Sequence, residues 1–112
     1  MKTPSDTFPA DGLSPTQRQA IQHVLQQYPV VRYAILYGSR AMGRQHPGSD
    51  IDLTLMGDID LMMLNTISNA LDDLMLPYVI DLSAFDLIEN QKLKDHIARV
   101  GKVFYTAHQQ CL

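Results

Sequence analysis

The sequence predicts a small α/β (α+β) domain, with a mixed sheet of three to four strands and helices packed on one face. Three observations predict it. Segments with helical spacing of apolar residues alternate with short runs rich in β-branched and aromatic residues. The 112 residues leave room for one domain with one modest core. A Gly-Ser pair at the end of one strand must meet two aspartates at the start of the next, so those two strands run antiparallel.

Residues 1–12 carry two prolines and few apolar side chains, and are expected to be a flexible lead-in. The domain proper is expected over 13–106, with a frayed tail over 107–112. Ser14-Pro15-Thr16-Gln17 reads as a helix start. Ser14 can cap, Pro15 suits the first helical position, and Gln17 can reach back as in a capping box. Ile21, Val24, Leu25 and Tyr28 give that helix one apolar face, and Pro29 ends it. Val30 to Tyr37 reads as a core strand that delivers Gly38 and Ser39 to its C-terminal end. A helical turn is expected over 40–43 and a loop over 44–49. The second strand is expected over 50–56, with Asp50, Asp52 and Thr54 on an open face and Ile51, Leu53 and Leu55 in the core.

Gly57 breaks that strand, and Asp58 or Asp60 starts a helix running to about Met75. Leu64, Ile67, Leu71 and Leu74 mark its buried side. Tyr78 to Leu82 reads as a third strand, with Tyr78, Ile80 and Leu82 facing one way and Val79, Asp81 and Ser83 the other. An aspartate in so apolar a strand needs a partner, because an unpaired buried carboxylate is costly. Ser83 is expected to cap a helical segment from Ala84, Leu93, Ile97 and Val100 mark the last helix, and Gly101 stops it. Val103 to Tyr105 is expected to add a short strand or to pack over the core.

Composition narrows the function. The formal net charge of −3 is the wrong sign for a chain whose main task is to hold a nucleic-acid backbone. The one cysteine, Cys111, cannot form a disulfide within the chain, which fits a reducing, cytoplasmic setting. No apolar run reaches membrane-spanning length, and the N-terminus lacks the apolar core of a signal peptide.

The chemistry concentrates in Leu36 to Leu53, LYGSRAMGRQHPGSDIDL. Asp50 and Asp52 leave one face of a strand, and two adjacent carboxylates repel unless a cation sits between them. Mg²⁺, or Mn²⁺, satisfies that demand with oxygen ligands. Gly38 and Ser39 lie where a strand gives way to a helical turn, with backbone N–H groups free to meet an anion. A phosphate grip beside a metal grip is the equipment of phosphoryl or nucleotidyl transfer. Arg40 and Arg44 can pair with triphosphate oxygens or stay solvated, and Ser49 lies in the same loop. Asp58-Ile59-Asp60 repeats the Asp-x-Asp spacing after Gly57, where carboxylates suit a helix N-terminus.

Gly38-Ser39, ten residues, then Asp50-Ile51-Asp52 resembles the signature of the DNA polymerase beta superfamily of nucleotidyltransferases. GSRAMG followed by SDIDL resembles the minimal nucleotidyltransferase (MNT) proteins in particular, with Met42 where their motif commonly has a second arginine. The resemblance implies the nucleotidyltransferase fold. It implies Asp50 and Asp52 as catalytic ligands of two Mg²⁺ ions, with Asp81 as the third carboxylate and Asp86 as its rival. It implies nucleotide contacts from Gly38, Ser39, Arg40, Arg44 and Ser49, and ATP as substrate. MNT proteins of this kind pair with HEPN toxins, so it implies an antitoxin that transfers AMP to a hydroxyl, such as a tyrosine, of a HEPN partner. Homo- or hetero-oligomers are compatible with that reading. The alternatives are a small-molecule nucleotidyltransferase completed by another subunit, an antitoxin that acts by binding alone, and a subunit with a structural role.

Overall fold

The computed structural model describes residues 11–107. Helix α1 spans Pro15–Gln26, strand β1 Val31–Tyr37, the short helix α2 Gly38–Ala41 and strand β2 Ile51–Gly57. Helix α3 spans Leu61–Asp72, strand β3 Ile80–Ala84, a 3-10 turn Phe85–Leu87, helix α4 Gln91–Val100 and strand β4 Lys102–Thr106. The lead-in and the tail lie outside the described residues, apart from Asp11, Gly12 and Ala107. Asp11 is tied down: its carboxylate pairs with Arg18 and accepts the Leu13 amide at 3.0 Å.

Two helix starts obey their local signals. Ser14 accepts the Gln17 amide at 3.1 Å while the Gln17 side chain accepts the Ser14 amide at 3.1 Å, a complete capping box. Asp60 caps α3 by accepting the Met63 amide at 2.8 Å. Ser83, by contrast, caps no helix. It is a residue of β3, and the cap of α4 is Asn90, which accepts the Lys92 and Leu93 amides. Period-two alternation runs two residues further along this strand than its apolar composition suggests.

The sheet order is β3-β2-β1-β4. β1 is antiparallel to β2 and to β4, whereas β2 and β3 are parallel, which makes the sheet mixed. One face carries Ala34, Leu36, Ile51, Leu53, Leu55 and Ala84 against α1 (Ile21, Val24, Leu25) and α3 (Ile67, Leu71), all buried. A one-residue slip of β2 would turn Asp52 inward and Leu53 outward. Ile51, Leu53 and Leu55 oppose it at roughly 1.5–3 kcal/mol each, so the core fixes where the aspartates emerge.

The other face is not wholly open. The 3-10 turn packs on β2 and α4 packs on β1, with the His96 ring edge-on to Tyr37 at 6.3 Å between centroids. Thr54 shares the face of Asp52 as expected, yet it is fully buried, and its hydroxyl is 3.5 Å from the Ser83 carbonyl. The open part of this face is the end that bears the carboxylates.

Candidate active site

Register assembles the site. Tyr37 of β1 is paired with Asp52 of β2, and Asp52 with Asp81 of β3. These side chains stand in one row across three neighbouring strands, which are roughly 4.8 Å apart. Ile35, Thr54 and Ser83 form the row behind. Asp50 precedes β2 and is exposed at the mouth of the row.

Gly38 begins α2 with φ +76°, a left-handed conformation that disfavours other residues. A Cβ at this position would collide with Asp52 Oδ2. The glycine therefore lets the strand-end turn lie directly against the second carboxylate. Tyr37 occupies the cap position of α2 without a side-chain bond to it.

Asp52 is half-buried, and burial pushes its carboxyl above the usual carboxylate range. The negative charges of Asp81 and then Asp50 push the same way, while His96 and Arg40 pull back. Tyr37 is buried, and burial raises its phenol; the Ser83 hydroxyl lowers it, and Asp81 and Asp52 raise it further. A half-desolvated carboxylate between two others is a place where a cation is wanted.

Asp81 differs from the expectation of a buried carboxylate: it is exposed, because β3 is the edge strand and its outer end is uncovered. Its claim on the site comes from its pairing with Asp52. Asp86 lies in the 3-10 turn and is exposed. Among the described residues, no three His, Cys, Asp or Glu side chains converge closely enough to hold a metal by themselves. One or two carboxylates suffice for Mg²⁺, which takes the rest of its shell from water or phosphate oxygens.

The expected nucleotide contacts separate. Ser39 is half-buried on α2, and Arg44 is exposed with its amide on the Ser39 carbonyl at 2.8 Å. Arg40 is placed otherwise than expected. It is buried, and its guanidinium is committed to the carbonyl oxygens of Ser49 and Asp11 and to the ring of Tyr78. Ser49 is buried too, closing the loop by accepting the His46 amide at 2.9 Å. Sequence reasoning did not bring Tyr37 or His96 to the site; alternation puts Ser83 on the face of Asp81 but gave it only a capping role. Position beside Gly38 could have found Tyr37. His96 has no local signal, since only the packing of α4 brings it there.

A glycine turn packed against paired carboxylates, at the end of a mixed sheet covered by helices on its other face, defines the nucleotidyltransferase class. The chain belongs to the family described as Polymerase beta, Nucleotidyltransferase, whose model matches residues 19–110. In fold it is similar to a chain of a crystal structure described as a toxin-antitoxin with AMP-PNP. The TM-score is 0.67 at 22% identity, covering 82% of this chain and 75% of that one. It is also similar to a chain in a structure of tri-AMPylated Shewanella oneidensis HEPN toxin in complex with MNT antitoxin. That match has a TM-score of 0.62 at 17% identity, over 82% of this chain and 71% of that one. A putative nucleotidyltransferase from Sulfolobus solfataricus matches with a TM-score of 0.53 at 12% identity, over 85% and 81% of the two chains. No curated protein matches the sequence. Among the described residues no helix is long and apolar enough to cross a membrane.

Proposed function

We propose that this chain is an MNT-type antitoxin that transfers AMP from ATP to a side-chain hydroxyl of a HEPN-type partner protein. The observation that carries the reading is the row Tyr37–Asp52–Asp81 with Gly38 packed against Asp52. The fold likeness to toxin–antitoxin complexes supports the choice of partner.

In this reading Asp50 and Asp52 would hold Mg²⁺, with triphosphate oxygens and water completing its shell. Mg²⁺ supplies charge neutralisation at the phosphates and a lowered pKa for the acceptor hydroxyl. The N–H groups of the Gly38–Ala41 turn and the Ser39 hydroxyl orient the phosphates. Arg44, exposed beyond that turn, is the arginine left to meet them. The acceptor oxygen bonds to the α-phosphorus as the bridging α–β P–O bond breaks, and pyrophosphate leaves. Asp81, the exposed carboxylate of the row, would bind a second metal ion or take the proton of the acceptor hydroxyl. A protein acceptor suits this chain because its acidic balance is poor at holding RNA by charge.

The test is to mix the chain, ATP, Mg²⁺ and the HEPN-type partner, then weigh the intact partner by mass spectrometry. The expected result is a gain of one or more AMP masses, absent in EDTA. A partner that is inhibited but unmodified would place neutralisation in binding alone.

A further inference from the structure

Arg40 sits two residues past Gly38 on α2, and it is 3% exposed, which leaves little of its surface to offer a triphosphate. Its Nε and Nη2 both donate to the carbonyl oxygen of Ser49, at 3.2 and 2.8 Å. Nη1 donates to the carbonyl of Asp11 at 2.7 Å, and the guanidinium carbon lies 4.4 Å from the centroid of the Tyr78 ring. A rigid planar fork closing on one oxygen fixes the orientation of that carbonyl as well as its position.

The carbonyl it grips belongs to the peptide plane that also contains the amide of Asp50. The next amide, that of Ile51, donates to the Val79 carbonyl at 2.8 Å. Val79 is the residue after Tyr78, on whose ring Arg40 lies. The peptides on both sides of Asp50 are thus held, one by Arg40 itself and one by the segment that Arg40 stacks on. Asp50 lies outside the strand ladder, so these anchors set where its carboxylate starts. The guanidinium grows from the same four-residue turn as Gly38 and Ser39.

We infer that Arg40 is a positioning residue: it sets the distance and angle between the Gly38-Ser39 turn and the Asp50/Asp52 carboxylates without touching the nucleotide. Its catalytic consequence rests on the transferase reading; its structural consequence does not.

Arg40→Lys keeps the charge and loses the fork, so it separates the two. The expected result is a fall in kcat for AMP transfer to the HEPN-type partner of about 10–100-fold, the scale of a small misplacement of reacting groups. The Kd for Mg²⁺ and AMP-PNP stays within about twofold. Amide exchange at Ser49 and Ile51 accelerates roughly tenfold while that of Leu53 is unchanged. Ethylguanidinium added to Arg40→Ala restores part of the lost kcat. Tyr78→Leu, which loosens the same guanidinium from outside the turn, gives the same pattern at smaller amplitude and serves if Arg40→Lys does not fold. AMP-PNP affinity falling in step with kcat would show a phosphate contact and overturn the inference. So would wild-type exchange at Ser49 and Ile51 in the folded variant. If the wild-type chain transfers no AMP, the transferase reading fails, and amide exchange alone decides the clamp.

Discussion

Asp50-Ile51-Asp52 and Asp58-Ile59-Asp60 are the same tripeptide at opposite ends of one strand, and their surroundings differ. Both isoleucines are buried. At 50–52 the chain enters β2, so Asp52 joins Tyr37 and Asp81 in the cross-strand row, with Gly38 against it. At 58–60 the chain leaves β2 through Gly57, whose φ is +149° and where a Cβ would strike the Val30 carbonyl. Asp58 is exposed there, and Asp60 caps α3. Crowding by other carboxylates marks the first pair; in the second, capping falls to Asp60 alone and not to Asp58 as the spacing suggests. Residue spacing alone does not distinguish a carboxylate crowded by others from one that caps a helix; the neighbouring strand does.

The largest expected effect comes from the glycines that flank the two copies. Gly38→Ala combines a left-handed φ, costing roughly 1–2 kcal/mol, with a collision against Asp52. Transfer should fall by about 100-fold or more in the folded protein, since the turn must move off the carboxylate. Gly57→Ala meets a backbone collision of its own and should lower the melting temperature comparably, with near-normal turnover in the fraction that folds. Equal catalytic loss per folded molecule in both would erase the distinction between the two ends of β2.

Smaller, and opposite in sign, are the stability effects of the aspartates. The folded-state pKa of Asp52 is raised by burial and by Asp81 and Asp50, so its ionised form opposes folding. That penalty is absent below the unfolded value of about 3.9 and grows as pH rises through the folded one. Asp52→Asn should therefore melt higher than wild type near pH 7 without metal, and the advantage should close at about pH 3. Asp60→Ala should melt lower, by the roughly 1 kcal/mol of a lost cap. Thermal melts across pH check both, and a destabilised Asp52→Asn at neutral pH would mean that the three carboxylates do not crowd each other as the row requires.

Much of the fold was legible in the sequence, where local rules dominate. The Ser14–Gln17 capping box, the antiparallel β1–β2 pair and the inward set Ile51, Leu53 and Leu55 come from propensity and alternation. Elements that depend on what packs over them were not legible. Ser83 belongs to β3 because its alternation continues behind Asp81, and Thr54 is buried because the 3-10 turn packs on β2. Asp81 is exposed because β3 is an edge, a fact of sheet order that its apolar neighbours conceal. Arg40 was the hardest to place. A guanidinium two residues past Gly38 invites a phosphate contact, and only the course of the Ser49 loop and the segment at Asp11 shows where its donors go.

If the first Asp-Ile-Asp is chemical and the second structural, one pair of variants separates them. Asp52→Asn and Asp60→Asn are each mixed with ATP, Mg²⁺ and the HEPN-type partner, after thermal melts show that both are folded. The intact partner is then weighed. Asp60→Asn should add AMP to the extent that wild type does, because asparagine also caps a helix. Asp52→Asn should add none within the same time, a loss on the order of 10²–10³-fold or greater. Equal transfer by the two variants, or loss in Asp60→Asn alone, would mean that Asp52 has no chemical role distinct from that of Asp60.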